Sequence, residues 1–414
     1  MSITTAAARP TLVSDRDDDH RHRARHATGY WVVALAFLSV MAFATVPTPL
    51  YAIYQQEAGF APVVVTVVFA AFAVGVMVSL LLAGHLSDAL GRRPLILVSI
   101  GVEVVSALVF LASTSLPALL VARLLCGIGV GTLTASATAH LGELRGVARP
   151  GAGPRHAATV AGLANIGGLA LGPLVGGLIA EYAPAPLVTP YAVFLVLLVA
   201  AAWATSRVPE TVVPPEARAP YRPQRVAVPT ESRGAFWAAG ASACAAFAVF
   251  GMFTALAPTF LVTVLGHRDH LLAGTVTFSV FASAALAQVL AGAWSPQRQL
   301  RDGTVGLVAG LAVVAAGGAL ASLPAFLVGA VVAGAGVGLV FRSAVARAAA
   351  LAPAEVRGEV LAALFLTAYA GLTVPVLLTG LALLVLAPVT VLLGFAAVTM
   401  AAAVLTTWRG LALG

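Results

Sequence analysis

Long apolar runs separated by short polar gaps extend along almost the whole chain. Each run holds about 20 mostly apolar residues, the length that a helix needs to cross a membrane. The pattern therefore predicts an all-α membrane protein with twelve membrane-spanning helices, here called spans 1 to 12. Their predicted bounds are 29–51, 62–83, 94–112, 117–139, 157–180, 188–206, 235–264, 272–293, 304–321, 324–341, 359–380 and 386–407. The polar residues 1–28, of mixed charge, are predicted to form a disordered tail.

The longest polar gap, 207–234, divides the spans into two sets of six. The prediction is an N-terminal six-helix bundle over 29–206, a linker, and a C-terminal six-helix bundle over 235–408. Weak internal similarity relates the two bundles. Pro47-Thr48-Pro49-Leu50 resembles Pro258-Thr259-Phe260-Leu261, Gly127-Ile128-Gly129-Val130-Gly131 resembles Gly334-Ala335-Gly336-Val337-Gly338, and Leu82-Ala83-Gly84 resembles Leu290-Ala291-Gly292, at offsets of 211, 207 and 208 residues. Parallel repeats of this kind are typical of transporters whose substrate site lies near the membrane midplane.

Composition and charge agree with a membrane protein and exclude an ordinary soluble enzyme. Hydrophobic residues make up 60% of the chain and charged residues only 9%, too few to cover a soluble surface. Of 23 arginines, 21 fall in the tail, the linker and the loops on one side of the predicted membrane. Because positive loops stay inside, both termini and the linker are predicted to be cytoplasmic. The membrane itself is predicted to be the plasma membrane. This placement explains the net charge of +7 without a nucleic-acid partner.

The loop between spans 2 and 3 is the most specific motif. It reads Gly84-His85-Leu86-Ser87-Asp88-Ala89-Leu90-Gly91-Arg92-Arg93-Pro94. Gly84 and Gly91 permit a tight turn, and Asp88 is placed to accept backbone N–H groups at a helix start. Arg92 and Arg93 anchor the loop at the inner membrane surface.

Spans 4 and 5 carry stripes of glycine. Span 4 contains Leu119, Arg123, Gly127, Gly129 and Gly131, and span 5 contains Gly168, Gly172, Pro173, Gly176 and Gly177. Glycines let neighbouring helices approach closely, and Pro173 bends span 5 because it removes a backbone hydrogen bond. Span 8 is the expected neighbour of span 5. A generic small-residue interface is the alternative interpretation.

These three motifs resemble the major facilitator superfamily, and those of spans 4 and 5 resemble its drug:proton antiporter branch. The resemblance covers about residues 29–408 and implies a conformational latch formed by Gly84, Asp88, Gly91, Arg92 and Arg93, with Asp88 facing the chain near Gly358 and Glu359. It also favours efflux. Two positions depart from the family pattern: Ala89 stands where the family has a basic residue, and Thr159 where the antiporter motif has a glycine.

Glu103 is the carboxylate that lies well inside the apolar part of a span, and an acid there is a functional candidate. Its predicted depth in span 3 is within about one turn of Arg123 in span 4. We therefore predict that Glu103 and Arg123 couple transport to protons. A fixed Glu–Arg pair that joins spans 3 and 4 is the alternative, as is an Arg123 that reaches the outer interface. Span 1 lacks the acid that many related antiporters carry, and His140 and Glu143 are further proton-site candidates.

The predicted cavity is mostly apolar. By resemblance, spans 1, 4, 7 and 10 line it, with spans 2, 5, 8 and 11 beside them. The candidate substrate contacts, each of which could instead be a packing residue, are Thr48, Asn165, Phe253, Gln288, Tyr369 and Thr373. The sequence has no phosphate-binding Gly-Lys-Ser/Thr loop and no histidine spacing for a metal, so no cofactor, metal site or enzymatic activity is predicted.

The sequence therefore predicts a monomeric secondary transporter that exports small, largely apolar, drug-like molecules in exchange for protons by alternating access. Its partners are the substrate, protons and the lipid bilayer. A sugar or metabolite exporter of the same fold is one alternative and would need a more polar cavity. A membrane sensor or scaffold that moves no solute is the other, and it would have no need of a latch.

Overall fold

The computed structural model describes residues 12–83, 86, 90–151, 153–212, 226, 228, 232–353 and 356–412. Within these ranges the chain is helical, with short turns and no β-strand. Helices satisfy their backbone hydrogen bonds internally, which a lipid environment requires. Span 1 comprises Leu12–Thr45 and Pro47–Ala58; spans 2 to 6 are Pro62–Ala83, Arg92–Ala112, Leu116–Ala148, Arg155–Tyr182 and Thr189–Thr205; span 7 comprises Arg233–Ala255 and Ala257–Thr263; spans 8 to 12 are His270–Leu290, Pro296–Ala319, Leu323–Ala350, Arg357–Ala382 and Pro388–Ala412.

The predicted all-α fold of twelve spans is confirmed. Within the described residues, eleven spans are long and apolar enough to cross a membrane, and the remaining one, span 6 at Thr189–Thr205, is an apolar helix of 17 residues. Residues 12–28, part of the stretch predicted to be disordered, are helical, because the first helix begins at Leu12; residues 1–11 lie outside the described ranges. No proline or glycine interrupts residues 12–28, so the helix continues into this polar stretch.

Spans 1 and 7 are each interrupted once, at equivalent positions. In span 1 a helix ends at Thr45 and the next begins at Pro47; in span 7 a helix ends at Ala255 and the next begins just before Pro258. Proline fits the first turn of a helix but breaks the hydrogen bonding of the turn before it. The proline motifs that repeat in the sequence therefore mark the same break in both bundles.

Glycine contacts also repeat between the two bundles. A β-carbon added at Gly127 of span 4 would meet the carbonyl of Phe72 in span 2, and one added at Gly334 of span 10 would meet the carbonyl of Val280 in span 8. Because glycine has no β-carbon, the backbones of each pair can touch. The glycines are 207 residues apart and their partners 208, so the two bundles are built on one packing pattern.

Each bundle surrounds a central helix, and two pairs of spans join the bundles. Span 1 packs on spans 4, 5 and 6, and span 7 packs on spans 10, 11 and 12. Between the bundles, span 5 packs on span 8 and span 2 packs on span 11. These two seams leave a space between the bundles that runs along spans 1, 4, 7 and 10.

Candidate functional site

The space between the bundles opens toward the end of the molecule that carries Arg92, Arg145 and Arg342, here called the basic end. In span 1 every residue from 40 to 54 is buried, whereas Trp31 and Leu35, nearer the basic end, are 54% and 63% exposed. Span 7 repeats the pattern, with residues 248–261 all buried and residues 241, 244 and 247 partly exposed. The cavity is therefore accessible from the basic end and closed at the opposite end, here called the far end.

Backbone contacts and hydrogen bonds close the far end. The Thr259 hydroxyl of span 7 donates to the Gln55 side chain at 3.3 Å, and the backbone N–H of His270 donates to Glu181 at 2.8 Å. A β-carbon added at Gly274 would meet the Pro173 carbonyl across the seam between spans 5 and 8. The bundles thus touch directly at this end.

Six aromatic rings from four spans of the C-terminal bundle form one connected cluster beside the cavity. This aromatic wall consists of Phe247, Phe250, Phe281, Phe341, Phe365 and Tyr369. The Phe247 ring lies 4.8 Å from Phe341 and 5.6 Å from Tyr369, measured between centroids. Phe250 stacks on Phe281 at 4.4 Å. Phe247, Phe341, Phe365 and Tyr369 are partly exposed, so the wall offers ring faces and edges to an apolar or aromatic molecule.

The six predicted substrate contacts lie in different environments. Tyr369 belongs to the aromatic wall and Asn165 is half-buried. Thr48 and Phe253 are buried in the closed far halves of spans 1 and 7, where Phe253 packs 5.9 Å from Phe326. In this structure they lie away from the cavity because their part of each helix is covered.

The other two predicted contacts differ in how their side chains are bonded. The Thr373 hydroxyl donates to the Tyr369 backbone carbonyl of its own helix at 2.8 Å. The backbone carbonyl of Gln288 accepts a 2.6 Å hydrogen bond from the Arg342 guanidinium. The side-chain nitrogen of Gln288 is buried and has no hydrogen-bond partner among the described residues. Sequence analysis identified only one of the six wall residues, Tyr369. The other rings come together from four different helices, and the spacing of residues within one helix cannot predict such a meeting.

Glu103 is completely buried in the N-terminal bundle. The Cys126 thiol lies against its carboxyl group, and a β-carbon added at Gly129 would lie 2.5 Å from Oε1. By strict hydrogen-bond geometry neither carboxyl oxygen has a partner among the described residues, and its polar neighbours include the Cys126 thiol and the Val130 backbone. Span 4 therefore encloses the carboxyl group, and no ion pair to it is found in the described part of the chain.

Arg123 lies near Glu103 but is bound elsewhere. Its guanidinium donates to the Ala44 carbonyl of span 1 at 2.7 Å and lies over the Phe72 ring at 4.5 Å. Its side chain is 1% exposed, so it does not reach the outer interface. Glu103 and Arg123 interact electrostatically, but no ion pair joins them among the described residues. The fixed pair considered from the sequence is therefore not what the structure shows.

A polar network ties the basic ends of spans 3, 4 and 6 together. The Glu210 carboxylate accepts the backbone N–H groups of Arg92 and Arg93 at 3.1 and 2.9 Å, which caps the start of span 3. The Arg92 side chain pairs with Glu143 at 3.1 Å. The Thr211 hydroxyl donates to Glu143. These contacts hold the start of span 3, at Arg92 and Arg93, to span 4 and to the segment that follows span 6.

Gly91 is the residue just before the first turn of span 3. Its φ of 96° lies in the region that disfavours side chains, and an added β-carbon would lie 2.8 Å from Glu210 Oε2. Sequence reasoning missed Glu210, although Pro209-Glu210-Thr211 directly after an apolar run was a visible signal. Gly84 and Asp88, the other residues of the predicted latch, lie outside the described residues.

Replacing Glu210 by Gln should lower the thermal stability of the protein at neutral pH but not in acid. Burial alone would raise the pKa of Glu210, but the backbone N–H groups of Val212, Thr211, Arg93 and Arg92 outweigh it and hold the pKa below its ordinary 4.5. The carboxylate therefore stabilises the folded state above pH 4.5, and this contribution is lost as the pH falls through the folded-state pKa. Thermal unfolding of both proteins in detergent at neutral and acid pH tests this; a constant difference would contradict it.

The span 5 motif mainly joins span 5 to span 1. Added β-carbons at Gly168, Gly172 and Gly176 would meet span 1, and only one at Gly177 would meet span 8, at the His270 carbonyl. Pro173 also faces span 8, through its contact with Gly274. Span 8, the neighbour expected from the sequence, is therefore one of two helices that span 5 contacts through this motif.

Comparison with known proteins identifies the architecture. A sequence model described as the Major Facilitator Superfamily matches residues 32–374. The nucleoside transporter NupG superposes with a TM-score of 0.72 at 12% identity, over 93% of this chain and 99% of that one. The human organic anion transporter MFSD10 (TETRAN) superposes with a TM-score of 0.65 at 19% identity, over 92% of this chain and 99% of that one. No curated protein sequence matches the chain.

Proposed function

Because the chain belongs to the major facilitator superfamily, we propose that it exports small, largely apolar molecules across the plasma membrane in exchange for protons. Family and fold indicate a multi-pass membrane transporter rather than an enzyme. The similar structures belong to a nucleoside and an organic anion transporter, so the fold is compatible with small organic substrates. The exported class, the direction and the coupling ion are our proposal.

The basic end is proposed to be cytoplasmic. Arginines concentrate there, and positively charged loops remain inside the cell. With this orientation both termini are cytoplasmic and the cavity opens to the cytoplasm. A substrate would bind from inside the cell and leave after the far end opens.

The aromatic wall is the observation that carries the proposal. Its partly exposed rings, such as Phe247 and Tyr369, suit flat, lipophilic molecules, because rings favour stacked and edge-to-face contacts. A sugar would need several hydrogen-bonding groups in their place. The wall therefore supports the drug-like class over the sugar alternative.

Glu103 is proposed as the proton carrier. An ionised carboxylate without a partner is costly in an apolar interior, whereas the neutral acid is not. Arg123 reaches from span 4 to span 1, and Glu103 lies between spans 3 and 4. A movement of these helices that admits water or brings Arg123 closer would release the proton. The latch is proposed to comprise Asp88 with Gly84, Gly91, Arg92 and Arg93, at the side that must close before the far end opens.

Inverted membrane vesicles with an acidified interior and a pH-sensitive dye test this function. Aromatic lipophilic cations, antibiotics and sugars are added in turn. We expect an aromatic compound to collapse the gradient only when the protein is present. If only sugars do so, the proposed substrate class is wrong. If no compound in the panel moves protons, the antiport mechanism is wrong.

Removing a ring from the wall should weaken the interaction with such a compound. Phe247→Ala is expected to raise about tenfold the concentration of the aromatic compound that half-collapses the proton gradient. The ring contributes both its contacts with a bound ring and the apolar area that it covers. Trp203→Ala removes a larger ring that is 64% exposed on span 6 and should change nothing. Equal effects of the two substitutions would exclude the aromatic wall as the binding surface.

A further inference from the structure

A shallow apolar groove follows the seam between spans 5 and 8. Its volume is about 350 Å³. Its lining includes Leu163, Gly167 and Leu171 on span 5 and Phe278, Ala282 and Leu286 on span 8. The spacing of four residues on each helix gives one continuous stripe per helix. The groove extends about 12 Å along the membrane normal, at 1.5 Å per residue over eight residues of span 5.

The groove faces the membrane rather than the central cavity. On span 5 the glycines that contact span 1, Gly168 and Gly172, are rotated by about 140° around the helix axis from Leu163 and Gly167. Leu163 is 43% exposed and Leu286 is 57% exposed. An apolar molecule in the groove would therefore come from the bilayer.

Two arginines from opposite bundles meet at the basic end of this seam. Arg155 is the first residue of span 5, about 12 Å along the helix before Leu163. Arg342 of span 10 donates to the backbone carbonyl of Gln288, in the last turn of span 8, at 2.6 Å and to that of Gly292, just beyond its end, at 3.4 Å. A β-carbon placed on Gly292 would lie 3.6 Å from the Arg155 guanidinium and 3.7 Å from that of Arg342. The two cationic groups thus converge on one point.

No carboxylate balances this pair in the part of the chain that the structure describes. The ion pairs found there involve Arg92, Arg298 and Arg301, and the hydrogen bonds of Arg342 go to carbonyl oxygens. Like charges that converge without a counter-charge favour an anion between them. Guanidinium groups match phosphate in particular, because they can donate two parallel hydrogen bonds.

We propose that the groove and the two arginines form a binding site for an anionic phospholipid of the leaflet at the basic end. An acyl chain lies in the groove, and the phosphate lies between Arg155 and Arg342. A basic pocket between membrane helices with an apolar path beneath it has the chemistry of a lipid headgroup site. Because each bundle supplies one arginine, the lipid bridges the two bundles at the end where the cavity is open.

Native mass spectrometry of the purified protein in detergent, titrated with phosphatidylglycerol, tests the charged part of the site. We expect Arg155→Ala combined with Arg342→Ala to weaken binding at least about tenfold. Arg298→Ala combined with Arg301→Ala is the control, because those arginines lie at the same end but pair with Asp302. Equal loss in both double variants, or equal binding of phosphatidylcholine by the wild type, would overturn the proposal.

The groove is tested by filling it. A β-carbon added at Gly167 meets no atom within 4 Å, so Gly167→Phe should fold and occupy the groove. Gly394 of span 12 is equally open, and Gly394→Phe is the control that should bind lipid normally. Glycerol phosphate is added as a competitor that has the headgroup phosphate without the chains. If it displaces the lipid at equal concentration, or if Gly167→Phe binds lipid normally, the site takes a free anion and the lipid proposal fails.

Discussion

Glu103→Gln should abolish proton movement coupled to export while the protein still folds and binds its substrate. Glutamine has nearly the same shape, so it fits beside Cys126 and Gly129, and it cannot take up or release a proton. It also removes the possibility of an unpartnered charge in the apolar interior, which would be costly. Proton flux in the inverted vesicles should fall to the level of vesicles without the protein.

Two further measurements distinguish loss of coupling from loss of folding. Glu57→Gln changes an acid at the exposed end of span 1 and should leave proton flux unchanged. Substrate binding to purified Glu103→Gln should match the wild type. Coupled proton flux in Glu103→Gln would show that Glu103 has only a packing role. His140 and Glu143, at the basic end of span 4, would then be the candidate proton carriers.

Gly172→Ala should destabilise the protein more than the small size of the added methyl group suggests. The added β-carbon would overlap the Ala42 carbonyl of span 1 and meet the Thr45 hydroxyl at the same point. Neither can move away easily, because span 1 is buried there on all sides. Overpacking of this kind costs about 1–3 kcal/mol, which exceeds the gain of up to about 1 kcal/mol from replacing a helical glycine.

Thermal unfolding in detergent measures this effect, and span 5 itself provides the control. Gly162 lies on the same helix, but a β-carbon there meets nothing within 4 Å. Gly162→Ala should therefore unfold at the wild-type temperature or slightly above it. If both variants unfold alike, the contact between spans 1 and 5 is looser than the structure shows.

Hydropathy predicts the spans well because the membrane fixes their length. Span 2 was predicted over 62–83 and observed over Pro62–Ala83. The errors fall where a helix continues into polar sequence. Span 9 was predicted from 304 but begins at Pro296, because its first turns carry Arg298 and Arg301 outside the apolar part.

The site was predictable only where one residue is unusual by itself. An acid and an arginine in apolar runs pointed to Glu103 and Arg123, and the structure does bring them near each other. Their partners depend on how the helices are rotated, which hydropathy does not specify. Arg123 therefore binds the Ala44 carbonyl rather than Glu103. The aromatic wall depends in the same way on four helices turning their rings toward one point.

The contacts that close the far end also bear on how fast the transporter can switch. Gly177, Gly274 and Gly380 place backbone or small side-chain atoms directly against the opposite bundle. Glycine has no rotamers, so forming these contacts freezes little side-chain entropy, and breaking them requires little repacking. The far end can therefore open when the two bundles move apart as whole units, on the microsecond-to-millisecond timescale of domain motions.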